Sequence, residues 1–461
     1  MEEEGGGSSR NGFASDRDWT KGSTARNLLS LSWPMIINES LWAIGFTIDM
    51  IWVGKLGAAP IAGVGVAGII MMVMMTAMFG LSMGTRAIIA RFVGAGDAIG
   101  ANHVSRQAFV ITGIYAIVVA SIGVLFTEPI FNLFGLNPDV VSEGVAYLRI
   151  QFVGLVAMSF WVIAEGIMYA SGDGLTPMKI TIVARIVHAV LVPFLLFGWW
   201  IFPRMGVSGA ALANVVAYSA GMALGLWSLF TGRTRVRLTL RNFRLDLNMI
   251  WRIVKIGIPA SVMGIQRSLG RLALMRLIAP FGTLAVAAHT LCERIDTMLF
   301  LPSMGLGVAG GVLVGQNLGA RQPEQAEKSG WMAASLAEVF VVVCSVAILL
   351  YSENIIGIFN TEPDLVKITS TFLKIAITGY LVLGFNAVLQ QCISGAGDTL
   401  PPMLISLVMI WLVQLPLAFF LPQVTNLAVY GIRWAIVTST VVGAVAYITY
   451  FRLGRWKRKK I

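Results

Sequence analysis

The chain has 461 residues, 57% of them hydrophobic and only 12% charged, and carries a net charge of +11. Soluble domains carry about 25% charged residues, so a water-soluble fold would leave much apolar surface uncovered, whereas lipid as solvent removes the need for a polar exterior. The basic residues lie in short segments between apolar runs, which speaks against a nucleic-acid partner and for the charge asymmetry of membrane loops.

Residues 1–26 are Gly/Ser-rich and mixed in charge, and read as a disordered tail. No apolar core precedes Leu28, as a signal peptide would need. A bilayer core takes about 20 apolar residues as helix. Runs of that kind predict an all-α membrane protein of twelve transmembrane helices, near 28–53, 59–90, 104–126, 140–170, 176–201, 206–230, 248–278, 284–315, 329–351, 365–395, 400–421 and 428–451. The predicted organisation is the tail 1–26, a first six-helix lobe 27–230, a basic linker 231–247, a second lobe 248–451 and a basic tail 452–461. Arg233, Arg235, Arg237, Arg241 and Arg244 crowd the linker, while 127–139 offers only Glu128 and Asp139. That bias puts both termini in the cytoplasm of a multi-pass protein of the cell membrane, the inner membrane in a bacterium. Cys292, Cys344 and Cys392 each sit in an apolar run without metal-ligand spacing, and read as packing residues.

A shift of 225 residues lays the first half on the second without gaps. Pro34 meets Pro259, Gly80 meets Gly305, Gly94 meets Gly319, and Gly172-Asp173 meets Gly397-Asp398. Gly, Pro and Asp matches at one offset are hard to obtain by chance. Six helices per repeat preserve topology, so the lobes form a parallel repeat about an axis along the membrane normal, enclosing a central cavity. Such pairs of bundles rock to open one side at a time, which points to transport. P-loop, HExxH and Cys/His metal patterns are absent from the sequence, so an enzyme is not expected.

The segments Val53-Gly54-Lys55-Leu56-Gly57, Val314-Gly315-Gln316-Asn317-Leu318-Gly319 and Gly395-Ala396-Gly397-Asp398-Thr399-Leu400-Pro401-Pro402, with Leu415-Pro416-Leu417-Ala418, resemble the multidrug and toxic compound extrusion (MATE) family over about residues 28–450, most closely its bacterial and archaeal members. The resemblance implies a secondary antiporter without a cofactor. It would export small amphipathic, cationic drugs or metabolites in exchange for H⁺ or Na⁺, as a monomer in membrane lipid. A flippase for a lipid-linked precursor is the alternative.

A carboxylate in a span costs about 2.5–3.5 kcal/mol on insertion scales and is a functional candidate by default. Asp49 lies deep in the first span, opposite Leu274 in the repeat, so symmetry does not require its charge. It reads as a cation or proton carrier or as a structural carboxylate, and the resemblance places the coupling acid here. Similar proteins complete a site with an Asn and an Asp four residues apart in span five and a hydroxyl in span six. His188, Val192 and Asn214 stand at those positions. One carboxylate is lost and an imidazole gained, which favours H⁺ over Na⁺ at Asp49, since Na⁺ prefers oxygen ligands. His188 reads equally as a packing residue. Glu165 has Gln390 as counterpart and either faces it across the cavity or answers Arg185. In the second lobe Gln266, Glu293 and Asp296 form a candidate polar cluster with His289; Arg267 and Arg271 neutralise its acids, or the acids make a second site. Met71, Met72, Met74, Met75, Met78 and Met83 crowd span two as a soft cavity lining or as packing, and Phe160 and Trp161 are further lining candidates.

Overall fold

In hydrocarbon a backbone must satisfy its own hydrogen bonds, and an open apolar chain does so as helices. The computed structural model describes residues 18–241, 243–358 and 362–461. The first lobe holds α1 (Thr24–Val53), α2 (Ala58–Gly94), α3 (Ala98–Asn132), α4 (Pro138–Ala170), α5 (Leu175–Phe197) and α6 (Val207–Thr231). The second holds α7 (Leu247–Ile278), α8 (Thr283–Gly319), α9 (Pro323–Gly357), α10 (Pro363–Tyr380), α11 (Leu383–Gly395), α12 (Leu400–Leu407), α13 (Leu415–Val424) and α14 (Val429–Leu453).

These elements make the twelve spans. Among the described residues ten helical stretches, with Leu400–Val424 counted as one, are long and apolar enough to cross a bilayer, and α10 with α11 makes an eleventh, bent by 49°. The twelfth, α7, has 32 residues but carries Arg252, Lys255, Arg267, Arg271 and Arg276, which mask it in a count by apolarity.

Two departures from continuous helix have local causes. At the α10–α11 break the freed N–H groups of Gly384 and Phe385 donate to Glu338 Oε2 at 2.9 and 3.3 Å. A buried carboxylate on α9 thus caps the restarted helix. Between α12 and α13, Val408–Gln414 winds as π-helix just before Pro416, which lacks the N–H to continue an α ladder.

The expected disordered tail is corrected for residues 18–26; residues 1–17 lie outside the described residues. Thr24 already starts α1, and Asn27 Nδ2 donates to the Trp19 and Lys21 carbonyls at 3.1 and 2.8 Å. Trp19 is buried against Gly172, whose φ of +87° suits only glycine and whose missing side chain makes room for the indole. At the equivalent Gly397 the space is taken by the C-terminal Ile461.

The repeat is visible as geometry. A Cβ on Gly80 would strike Ser261 and Gly257 of α7; one on its counterpart Gly305 would strike Ile36 of α1. Gly94 lies against the Gln316 carbonyl and Gly319 against that of Arg91. Arg91 Nη2 donates to the Ala396 carbonyl and Gln316 Nε2 to the Ala170 carbonyl, both at 2.8 Å. Positions 91 and 316 are equivalent, so each lobe binds the end of a helix in the other. These close contacts lie toward the face that bears both termini, and the space between the lobes opens away from it.

Candidate functional site

The opening between the lobes is a cavity of about 660 Å³. Met71, Met72, Met75 and Met83 line it, whereas Met74 and Met78 do not. Phe160 and Trp161 are corrected: Trp161 is fully buried, its ring centroid 4.6 Å from that of Trp42 and tilted by 31°, and neither residue reaches the cavity. Glu39, Asp49, Glu165, Arg86, Arg185, Arg267 and Arg271 are its charged lining.

Asp49 is 3% exposed near the end of α1. His188 Nε2 of α5 lies 3.0 Å from its Oδ1, and Asn214 Nδ2 of α6 donates to its Oδ2 at 2.7 Å. The three residues singled out from sequence therefore meet. Two more belong with them and escaped notice: Tyr147 OH of α4 donates to Asp49 Oδ2 at 3.3 Å and itself accepts from Gln151 Nε2 at 2.8 Å. Their signal was a polar pair four residues apart, on one face of an apolar helix. Val192, where the resemblance leads one to expect an acid, is fully buried in an apolar cluster.

Asp49, Tyr147, Gln151 and Asn214 reach the cavity, while His188 stands behind Asp49 and is fully buried. Asn214 and Tyr147 supply hydrogens to one carboxyl oxygen. The other oxygen shares a single proton position with imidazole: either His Nε2–H donates to the carboxylate, or a protonated Asp49 donates to Nε2. His188 Nδ1 has no hydrogen-bond partner among the described residues. Oxygen donors for a bare cation would be the Asp49 carboxylate with the Asn214 and Gln151 amides and the Tyr147 hydroxyl. Asn214 and Tyr147 present hydrogens instead.

Glu165 accepts from Asn38 Nδ2 at 2.8 Å and Trp42 Nε1 at 3.3 Å. It makes no ion pair with Arg185, whose guanidinium lies over the Trp42 ring at 4.9 Å in the space left by Gly45. Glu165 and Gln390 both face the cavity, from opposite lobes.

The second-lobe cluster does not assemble as one site. Gln266 donates to Ser406 on α12. Glu293 pairs with His289 at 3.7 Å, and Asp296 accepts from Tyr380 and pairs with Arg433 of α14 at 3.5 Å. Arg267 and Arg271 neutralise neither acid by an ion pair. The sequence reading erred because Arg433, 137 residues from Asp296, satisfies it from another helix. None of Gln266, Glu293 and Asp296 lines the cavity.

The comparisons agree with this geometry. The MatE family model matches residues 34–194 and again 259–420, two matches beginning 225 residues apart. A relative from Bacillus subtilis named "Probable multidrug resistance protein YoeA" is 25% identical over 446 residues, covering 96% of each chain. One from Shewanella oneidensis, named "FAD transporter", is 24% identical over 426 residues, covering 92% of this chain and 93% of its own. A crystal structure of a MATE transporter in the bent conformation superposes with a TM-score of 0.89 at 23% identity, covering 94% of this chain and 96% of that one. With a doubled family match over two six-helix lobes and an acid site opening on the space between them, the chain belongs to the MATE family of transporters.

Proposed function

We propose that this chain is a proton-coupled secondary antiporter that exports small amphipathic compounds by alternating access of its two lobes. The observation that carries the reading is the single proton position between Asp49 and His188, reached from the cavity through the Asp49 carboxyl. A buried acid in lipid is costly unless its charge state is used. Here a proton entering the cavity neutralises Asp49, relaxes its hold on Asn214 and Tyr147, and so loosens α1 from α4 and α6. Coupling then follows, because the protonated and substrate-loaded states favour different lobe arrangements. The arginine-rich linker and the lysine- and arginine-rich C-terminal tail support a plasma-membrane orientation with both termini cytoplasmic. In that orientation the cavity described here is open to the outside. Names borne by relatives extend from multidrug resistance to FAD transport, and the methionine-rich lining suits bodies of varied shape.

The test is transport by the purified chain in liposomes under separately imposed pH and Na⁺ gradients. Accumulation should follow the pH gradient and collapse with a protonophore. Transport driven by Na⁺ at constant pH would overturn proton coupling.

A further inference from the structure

One wall of the cavity carries charge that the coupling site does not use. The repeat offset pairs Trp42 with Arg267, Phe46 with Arg271, Asn38 with Met263 and Glu165 with Gln390. Side-chain contacts obey the same pairing. In the first lobe Glu165 binds Asn38 and Trp42. In the second, Gln390 Oε1 accepts from Arg267 Nη2 at 3.3 Å, and its Nε2 lies 3.2 Å from Met263 Sδ. The frame is shared and the charge is inverted, with an acid on one wall and a base on the other.

The inversion extends along α7. The cavity's acids, Glu39, Asp49 and Glu165, all belong to the first lobe, which also brings Arg86 and Arg185, whereas the second lobe contributes Arg267 and Arg271 with no acid. Arg267 rests on a neutral amide and over the Phe300 ring at 5.7 Å. Arg271, one turn further, makes no hydrogen bond or ion pair with a described residue. Glu293 is close enough to feel its field but makes no ion pair with it, its Oε1 lying 3.7 Å from His289 Nε2. Two guanidiniums one turn apart repel each other, and the first lobe builds the same wall with aromatics, so packing does not demand them.

We propose that Arg267 and Arg271 form an anion subsite that takes the carboxylate or phosphate of an amphipathic substrate, whose apolar body lies on Met72, Met75, Met263, Met304 and Phe300. The proposal rests on the transport reading above and replaces the cationic preference expected from sequence. A guanidinium fork matches a carboxylate or phosphate with two parallel hydrogen bonds. A cation seated there would instead meet two positive charges.

The experiment compares equilibrium binding of riboflavin 5′-phosphate and riboflavin, which differ by the phosphate alone, to the protein in phosphatidylcholine nanodiscs without any gradient. The phosphate form should bind at least about tenfold more tightly. Arg267→Gln and Arg271→Gln should each remove most of that preference while leaving riboflavin binding unchanged, and Arg271→Lys should keep part of it. Monodispersity on gel filtration checks that the variants fold. Equal affinities, a preference that survives Arg271→Gln, or no binding of the phosphate form up to about 1 mM would overturn the subsite. If added phosphatidylglycerol abolishes the preference, the oxyanion held is a lipid headgroup, and the assignment to soluble substrate falls. Loss of pH-driven transport with binding intact would strike the antiport reading alone.

Discussion

The two lobes share a frame and differ in chemistry, and the difference falls at one place. Toward the face bearing the termini they are near copies: Gly94 and Gly319 admit each other's neighbouring carbonyls, and Arg91 and Gln316 make equivalent bonds across the interface. At the depth of Asp49 the copies diverge. Its site is Asp49, Tyr147, Gln151, His188 and Asn214; the second lobe has Leu274, Phe372, Ala376, Val413 and Ser439 at those positions. Leu274, Phe372 and Ala376 are buried in a common apolar cluster. Duplication therefore supplies the closing surface, which needs both halves, while the polar site around Asp49 is carried by one half only.

The largest effect should come from erasing that difference. Asp49→Leu gives the first lobe the residue of the second, removes the only carboxyl of the site, and should abolish pH-driven transport. The fold should survive, because Leu274 shows that the frame accepts leucine. Full transport by this variant in liposomes would remove Asp49 from the mechanism. Leu274→Asp alongside it should not restore activity, since Phe372, Ala376 and Val413 offer that acid no partner.

The shared surface is tested by Gly94→Val and Gly319→Val. A Cβ at either position would lie about 2 Å from a backbone carbonyl oxygen of the other lobe. Overpacking of this kind costs about 1–3 kcal/mol, enough to shift a two-state closure about fivefold to a hundredfold. Spin-label distances across that face should lengthen in both variants. A response to one glycine only would show that the closure is not symmetric.

How much of this the sequence discloses depends on how far its partners lie apart. Twelve spans are legible as apolar runs, the repeat as Gly, Pro and Asp matches at one offset, and Asp49 as a charge inside a span, whereas His188 and Asn214 join it only through the family resemblance. Tyr147 and Gln151 are harder to read because an uncharged tyrosine and amide cost far less inside a span than a carboxylate and so do not by themselves mark a site. The pairing of Asp296 with Arg433 and Tyr380 was not legible, since a buried charge names its need for a partner and not which helix supplies it. The α10–α11 break has no proline to announce it, and the carboxylate that caps it, Glu338, lies on a different helix.

His188→Asn sharpens the comparison with a smaller effect. The amide keeps a hydrogen-bond donor near Asp49 but does not titrate. Imidazole is the side chain whose charge ordinarily changes between about pH 5 and 8. Transport should fall about tenfold and its pH profile across that interval should flatten. An unaltered profile would make His188 a packing residue, as its complete burial also allows. A new dependence on Na⁺ would show that the imidazole had excluded the ion.

The smallest effect is expected where the lobes are joined. The linker is sewn to α3 by Asn102 to Thr239 and by Gln107 to the Arg244 carbonyl, at 2.8 and 2.7 Å. Asp246 then caps α7, its Oδ1 accepting from Met249 N and its Oδ2 3.0 Å from His103 Nε2. The Met249 N–H first, and then His103, hold this carboxyl below the usual carboxylate range. A lowered acid stabilises the fold above its unfolded pKa of about 3.9 and loses that contribution as pH falls through its folded value. Asparagine caps a helix about as well as aspartate, so Asp246→Asn isolates the charge, whereas Asp246→Ala removes the cap as well. The thermal midpoint should drop slightly at pH 7 for Asn and further for Ala. The Asn deficit should shrink between pH 7 and about pH 3, as the pH falls below the unfolded value and the native carboxyl loses its charge, while part of the Ala deficit should remain. A deficit for Asn that is the same at both pH values would mean that the charge of Asp246 is not what ties the second lobe to α3.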